Sequence, residues 1–306
     1  MTRGRAGHDD ARVTGIEFGL TLHTTQSHSD LAGLVRRAEE LGYDVLAAPD
    51  HLGALSPFTA LAAVATLTER LRLRTYVLNA GFWNAALLAR EVATLDLLSG
   101  GRVDLGLGAG HQKSEHDDAG LPWPALRERI DALEALLVEV RRRLADDQHQ
   151  PRPVQQPVPV MVGAMSTSGL SVAARHADIV GFAGLRQVPG APPGTFTVSS
   201  AAETEKRVAQ VREQADGRPY RSDVLVQAVV FGDPEESAAR VAADAPGLTV
   251  QQLLDSPFVL LAADAGAAAA ELRRRQERYG FTSVTTHQPY LEPLGEVIDA
   301  YRSAAR

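Results

Sequence analysis

The sequence predicts an α/β fold, a (β/α)8 TIM barrel with loop insertions at the C-terminal face. The chain has 306 residues, 44% apolar and 23% charged, which suits one barrel of about 250 residues or more. Short β-like runs alternate with helical runs eight times, as in βαβ units with parallel strands. The first turn, HTTQSHSD, lacks the glycine fingerprint of a doubly wound sheet, which is the alternative architecture.

Each element is predicted from its pattern of apolar residues and from the residues at its ends. Ser29 or Asp30 is expected to cap the first helix, and Gly42 to end it. A Pro-rich connector leads into strand five, and insertions are expected after strands four, six and seven. We expect a flexible N-terminal tail, 1–14, and a single domain, 15–306. The strands are predicted at 16–22, 44–49, 71–79, 102–108, 158–163, 178–182, 223–230 and 283–287, and the main helices at 30–41, 85–98, 125–144, 168–175, 202–214, 235–243, 265–279 and 291–302.

Composition and charge exclude several classes of protein. The net charge of −7 disfavours a nucleic-acid surface, and no apolar run is long enough to span a membrane. The chain has no cysteine, which excludes disulfides, thiol catalysis and cysteine-bound metal. Because no secretory signal is present, we expect a cytoplasmic protein whose partner is a small molecule, with no nucleic-acid or membrane partner.

Histidines stand at the positions where a parallel barrel carries its active site. Such sites lie at the C-terminal ends of the strands, and His23, His51, His111 and His287 all follow predicted strands. Asp50 precedes His51 directly after strand two. This pair indicates either an imidazole for acid–base chemistry or a helix-capping aspartate beside an exposed histidine, and the sequence leaves both open.

Strand four carries glycines on one face. Gly106, Gly108 and Gly110 alternate with Leu105 and Leu107, so the glycines share one side of the strand. A strand without side chains on one face admits a flat ligand or another backbone. A planar cofactor across the barrel mouth and a tightly packed barrel interior both remain possible explanations at this stage.

The absence of several catalytic motifs excludes further classes of enzyme. No HxH, HExxH or GxSxG spacing occurs, so we expect neither a metal site nor a serine hydrolase. The run Ser166-Thr167-Ser168 follows strand five, where it can cap a helix, bind an anion, or do both.

Aromatic residues follow the strands on the same predicted face. Trp83 and Trp123, with Phe82 and His23, are expected to contact an apolar substrate. A subunit interface is the alternative for the two tryptophans.

Runs of sequence from residue 15 to about 302 carry a family resemblance. They are LAGLVRRAEELGYDVLAAPDHL, LTERLRLRTYVLNAGFWN, LLAREVATLDLLSGGRVDLGLGAGHQKSEHDDAGLP, VPVMVGA and AARHADIVGFAGL. Together they resemble the luciferase-like monooxygenase superfamily, and most closely its actinobacterial branch of coenzyme F420-dependent oxidoreductases. LDLLSGGRVDLGLGAG is the most specific of these segments.

The resemblance implies a TIM barrel, usually dimeric, that binds F420 or FMN at the C-terminal ends of the strands. It implies a cis peptide bond near Tyr76–Val77 and a structural pair between Glu115 and Arg129. The runs ALAAVATL and LLAREVATLDLL, after strands two and three, are apolar around much of a helix, which fits a homodimer. The resemblance places Asp50, His51, Asn79, Gly108, Gly110, Gly163, Ala164, Met165 and Ser166 at the cofactor.

The predicted function is an F420-dependent oxidoreductase that transfers a hydride between the deazaflavin and a small apolar substrate, with His51 and His111 as the catalytic, proton-handling residues. His111 stands where F420-dependent sugar-phosphate dehydrogenases carry a Glu. Gly163-Ala164-Met165 replaces a glycine cluster at the phosphate turn. Two alternatives therefore stay open: an FMN-dependent monooxygenase, and a barrel that has lost its redox cofactor and serves as a binding protein or non-redox enzyme.

Overall fold

A closed barrel of eight parallel strands forms the centre of the protein. The computed structural model describes residues 15–22, 27–191 and 195–304, so the predicted tail and His23 lie outside the described residues. Each strand pairs in parallel with its neighbours, and pairing of the last strand with the first closes the barrel. The predicted (β/α)8 fold is confirmed. The barrel strands are β1 (Glu17–Thr21), β2 (Val45–Ala48), β3 (Arg72–Thr75), β4 (Val103–Gly108), β5 (Val160–Ala164), β6 (Ile179–Phe182), β7 (Arg221–Val226) and β8 (Ser283–His287).

Helices surround the barrel close to where the sequence predicts them. Ser27, rather than Ser29 or Asp30, caps the first helix and accepts a hydrogen bond from the Asp30 backbone N–H at 3.2 Å. Gly42 has a φ of +84°, which fits its predicted place just past the helix end. The helices are α1 (His28–Glu40), α2 (Pro57–Leu67), α3 (Ala85–Ser99), α4 (Lys113–Asp118), α5 (Leu126–Leu144), α6 (Thr167–His176), α7 (Ala201–Ala215), α8 (Pro234–Asp244), α9 (Val250–Asp255), α10 (Ala265–Tyr279) and α11 (Leu291–Ser303).

The three insertions occur after β4, β6 and β7, as predicted. The first contains α4, and the second is an antiparallel hairpin of Leu185–Gln187 with Phe196–Val198. The third contains α8 and α9 between two short parallel strands, Val229–Phe231 and Leu260–Ala262. The predicted single strand 223–230 is therefore wrong at its end. The predicted strand 71–79 is also wrong at its end, because it stops at Thr75 and Leu78–Asn79 forms a separate short strand. The chain leaves the barrel at Gln227, whose N–H bonds the Phe258 carbonyl at 2.7 Å.

Below the mouth, an ionic network fills the barrel interior. Arg74 is fully buried and donates to Glu17 at 2.6 Å, to Asp104 at 2.9 Å and to Asp223 at 3.4 Å. Asp104 also accepts from Arg72 at 2.5 Å. Burial opposes ionisation of Asp104, but the adjacent charges of Arg74 and Arg72 outweigh it and lower the pKa of Asp104 to about 2.

Replacing Asp104 is expected to destabilise the barrel strongly. Asp104→Asn leaves the buried Arg74 charge undercompensated, and breaking such a pair costs about 3–5 kcal/mol. Urea denaturation at pH 7 measures this, with Asp147→Asn in an exposed pair as the control. Because the folded pKa lies below the unfolded value, the contribution of Asp104 is present above pH ~4 and is lost as the pH falls towards 2. The deficit of the variant is therefore expected to shrink over that range, and an equal deficit at pH 7 and pH 2.5 would contradict the assignment.

Candidate functional site

Val77 forms the floor of the barrel mouth. The Tyr76–Val77 peptide bond is cis, as the resemblance implied. A Cβ atom at Gly108 would lie 2.7 Å from the Val77 side chain, and one at Gly163 would lie 3.1 Å from it. At Gly106 a Cβ would lie 1.9 Å from the Thr75 carbonyl oxygen. The glycines of strand four are thus required by the packing of the segment after β3, which was one of the two explanations that the sequence left open.

Asn79 holds the loop after β4 rather than pointing freely into the mouth. It is buried, and its Oδ1 accepts from the Gly81 N–H at 3.1 Å. Its Nδ2 lies 3.0 Å from His116 Nε2. Gly110 has a φ of +74°, and a Cβ there would lie 2.5 Å from Asn79 Oδ1. Both polar groups of Asn79 are therefore used within the protein, and its predicted contact with a cofactor ring stays a prediction.

His116 is a buried histidine that the sequence analysis did not assign. Its Nδ1 lies 2.9 Å from the Pro122 carbonyl oxygen, which can only accept, so Nδ1 carries the proton. Nε2 then accepts the hydrogen bond from Asn79 Nδ2. Phe82 and Trp123 contact the same ring at centroid distances of 5.0 and 4.8 Å. Nothing in the local sequence distinguishes His116 from a solvent-exposed histidine, because its partners come from two other segments, 79–82 and 122–123.

Asp50 is fixed by its neighbours on the β2 side of the mouth. Its Oδ2 accepts from Trp83 Nε1 at 3.0 Å and from the Asn79 N–H at 3.1 Å. Burial raises the pKa of Asp50, and these hydrogen bonds oppose the increase. Trp83 also packs edge-on against Phe58 at 5.3 Å. Trp83 therefore supports Asp50 in addition to any contact it makes with substrate.

Arg129 does not pair with Glu115, so this prediction was wrong. Its guanidinium stacks 3.6 Å from the Trp123 ring centroid, and Nη1 donates to the Gly110 carbonyl at 2.7 Å. Burial lowers the pKa of Arg129. Arg129 thus supports the β4 loop by holding a carbonyl and an aromatic ring, whereas Glu115 faces His51.

Four side chains form a polar cluster at the edge of the mouth. His51 Nδ1 lies 2.8 Å from Glu115 Oε1, and 36% of the His51 side chain is exposed. The ring of His111 packs edge-on against that of His51 at 5.3 Å. Gln112 Nε2 lies 3.4 Å from both His51 Nδ1 and His111 Nε2. The two predicted catalytic histidines are therefore adjacent.

The surroundings of His111 lower its pKa and so favour the neutral form. Desolvation by the atoms packed around the ring, and then the neighbouring His51, lower the pKa of His111, while the charge of Glu115 opposes this decrease. A lowered pKa favours the neutral ring of His111, which keeps one N–H and can donate a hydrogen bond without carrying a charge.

The phosphate turn predicted after β5 combines a helix cap with exposed hydroxyls. Ser166 caps α6 by accepting from the Gly169 N–H at 3.1 Å. Thr167 and Ser168 are exposed in the first turn of α6, and Met165 is half-buried beside them. The capping explanation is confirmed, and anion binding at this turn stays a prediction.

A second polar group lies where β8 meets β1 and β7. His287 Nδ1 lies 3.1 Å from Thr21 Oγ1, and Nε2 lies 3.2 Å from Gln227 Oε1. Within the described ranges, no group of three or more His, Asp or Glu side chains is arranged to hold a metal ion. No helix in that part of the chain has the length and apolarity needed to cross a membrane.

The titration of His111 tests the arrangement of the cluster. Its pKa is expected below the usual ~6.5. Glu115→Gln removes a negative charge and should lower the pKa further, whereas His51→Gln should raise it. Proton NMR of the histidine C2–H signals measures these shifts, with the His111→Gln spectrum as the assignment control. A His111 pKa above 6.5, or shifts of the opposite sign, would contradict the structure of the cluster.

Comparison with known proteins identifies the family to which the chain belongs. The chain matches the family described as luciferase-like monooxygenase over residues 12–292. An F420-dependent glucose-6-phosphate dehydrogenase of Amycolatopsis mediterranei is 34% identical over 175 residues, which are 50% of this chain and 51% of that protein. A 5,10-methylenetetrahydromethanopterin reductase of Methanolobus tindarius is 26% identical over 237 residues, 74% of this chain and 69% of that one.

The fold is also found among solved structures. An F420-dependent secondary alcohol dehydrogenase in complex with an F420–acetone adduct superposes with a TM-score of 0.76. The match covers 94% of this chain and 99% of the other, at 16% sequence identity. At that identity the likeness concerns the barrel alone.

Proposed function

The chain belongs to the luciferase-like monooxygenase family, and we propose that it is an F420-dependent oxidoreductase acting on a small alcohol or carbonyl compound. The observation that carries the proposal is the pairing of His51 with Glu115 beside a neutral His111 at the edge of the Val77 floor. The similarity to F420-dependent relatives supports the choice of cofactor.

The residues around the floor fit a planar deazaflavin. Val77 is half-buried, and the residues of β4 and β5 that face it, Gly108 and Gly163, have no side chains. Polar groups stand on both sides, with the histidine cluster on one and the first turn of α6 on the other. When bound, F420 supplies two-electron hydride transfer. The protein then has to orient the reactants and move one proton.

His51 is the proposed proton acceptor when an alcohol is oxidised. Glu115 accepts the hydrogen bond from Nδ1, so Nε2 is the atom that takes the hydroxyl proton. The carboxylate then stabilises the positive charge that develops on the ring, in the manner of a histidine oriented by an acid. His111 donates a hydrogen bond from its ring N–H to the substrate oxygen. In the reductive direction His51 returns the same proton.

F420 is expected to bind, and FMN to bind more weakly or not at all. Both tryptophans of the chain, Trp83 and Trp123, lie in the loops of the mouth, so intrinsic fluorescence reports binding there. The side chain of Met165 beside the α6 turn costs binding energy that a glycine would not. We therefore expect saturable quenching by F420, with a dissociation constant nearer micromolar than nanomolar.

Single Trp83→Phe and Trp123→Phe variants identify which ring reports the quenching. Saturation by FMN with no response to F420 would support the flavin monooxygenase alternative instead. No response to either cofactor would support the barrel without a redox cofactor, and Met165→Gly then tests whether the turn alone prevents binding.

Removing the His51 imidazole is expected to lower turnover while F420 still binds. His51→Ala should reduce kcat ~10²-fold or more, the usual scale for a positioned acid or base. Glu115→Gln should reduce it less, because the neutral amide still orients the ring. Turnover is followed as F420 absorbance with an alcohol or carbonyl compound found by screening.

The chain offers a matched control for this experiment. His176 pairs with Glu134 at 2.6 Å between α6 and α5, outside the cluster at the mouth. His176→Ala therefore removes a histidine–glutamate pair of the same kind and should leave kcat unchanged. Equal losses in the two variants would mean that His51 acts through stability alone.

We also propose a homodimer that uses α3. Leu87 and Leu98 are 51% and 68% exposed and lie eleven residues apart, which is three turns on one face of the helix. Light scattering at micromolar concentration is expected to give twice the chain mass of 32.7 kDa. Leu98→Glu should shift that mass towards the monomer, and a wild-type mass near 33 kDa would contradict the proposal.

A further inference from the structure

Two arginines contact the turn at the start of α7. Arg186 lies on the hairpin strand that follows β6, and Arg207 lies on the second turn of α7. We infer that Arg186 and Arg207 form an oxyanion site that takes a phosphate or carboxylate group. This site is separate from the histidine cluster. It implies that a ligand bound over the apolar floor also carries an anionic group.

The pair carries more positive charge than its surroundings neutralise. Arg186 Nη2 donates to Glu203 Oε1 at 3.2 Å, while Glu203 Oε2 accepts from the Ser200 N–H at 3.0 Å in the capping box of α7. Arg207 Nη1 donates to Ser199 Oγ at 2.7 Å. In the described part of the chain, no carboxylate lies within ion-pair distance of Arg207. Among the described residues, Glu203 is therefore the one carboxylate paired with either guanidinium group, and its other oxygen is committed to the helix cap.

One donor of the pair has no acceptor among the residues that the structure describes. Arg186 Nε is buried and has no hydrogen-bond partner among the described residues. A buried donor without a partner is unfavourable, and a guanidinium offers its donors in a fork that matches the oxygens of phosphate or carboxylate. Burial, and then the nearby charge of Arg186, lower the pKa of Arg207. A bound oxyanion would relieve both the repulsion and the missing bond.

The pair lies next to the first turn of α6. Gln210 follows Arg207 by one turn on α7, and its Nε2 donates to the Thr167 carbonyl at 2.9 Å. The exposed N-terminal turn of α6 therefore adjoins the arginines, and its N–H groups favour the same kind of ligand. Because β5 and β6 are neighbours in the barrel, this places the oxyanion site on the rim of the mouth.

The oxyanion has two possible sources with the same chemistry. It belongs either to the substrate or to the phosphate- and carboxylate-bearing tail of F420. Oxyanion binding does not depend on the proposed function, whereas the assignment of the oxyanion to one of these sources rests on it.

Binding of inorganic phosphate to the full chain tests the site. Titration calorimetry at low ionic strength is expected to show saturable binding that Arg186→Gln and Arg207→Gln each weaken about tenfold. Glu203→Gln keeps the capping geometry but removes the competing charge, so it should tighten binding severalfold. Arg152→Gln, which removes an exposed arginine paired with Asp147 at 2.8 Å, is the matched control and should change nothing.

The variants move affinity in opposite directions, so a general loss of folding cannot imitate the expected pattern. Absence of saturable phosphate binding, or equal affinity in wild type and all four variants, would overturn the inference.

A second comparison assigns the source of the oxyanion. If Arg207→Gln weakens binding of F420 but not of the ribityl deazaflavin core without its tail, the site belongs to the cofactor. If the variant leaves F420 binding unchanged and phosphate still binds to the F420-saturated protein, the site belongs to the substrate. Failure of F420 to bind would contradict the proposed function, while the phosphate titration would still decide the oxyanion site.

Discussion

The shape of the barrel mouth depends on one close approach, that of the segment after β3 to the glycines of β4 and β5. The Thr75 carbonyl occupies the place of a Cβ at Gly106, and Val77 occupies the space beside Gly108 and Gly163. With any larger residue at Gly106 the segment would have to move, and the floor with it. The position of the floor is therefore set by backbone packing inside the barrel.

Beneath this floor, buried charged side chains rather than apolar side chains fill the barrel. Arg74 and its three carboxylate partners fill the interior, so the mouth cannot extend downwards. Above the floor, the loop after β4 is anchored by His116 and Arg129, which bind backbone carbonyls through hydrogen bonds. This anchoring brings Glu115 to His51, and the two halves of the polar cluster come together from β2 and β4.

The sequence predicted the elements well and the contacts between loops poorly. The eight strands follow from local apolar runs, which is why all eight are found near their predicted places. The third ends at Thr75 rather than at 79, and the seventh ends at Val226 rather than at 230. Strand parity showed that Gly106 and Gly108 share one face of the strand, but parity cannot tell a ligand from another segment of backbone. The partner of Glu115 and the burial of His116 depend on residues distant along the chain, so no local pattern could have revealed them. His51 and His111 were found because the ends of parallel strands share one face of a barrel.

The most direct test of the account is a crystal structure of the protein with F420 bound. We predict that the deazaflavin ring lies on Val77, between the ends of β4 and β5, with His51 Nε2 beside the space left for substrate. Glu115 should keep its contact with His51 Nδ1 in that complex. A ring bound away from Val77, or a His51 side chain turned out of the mouth in the presence of the cofactor, would contradict the account.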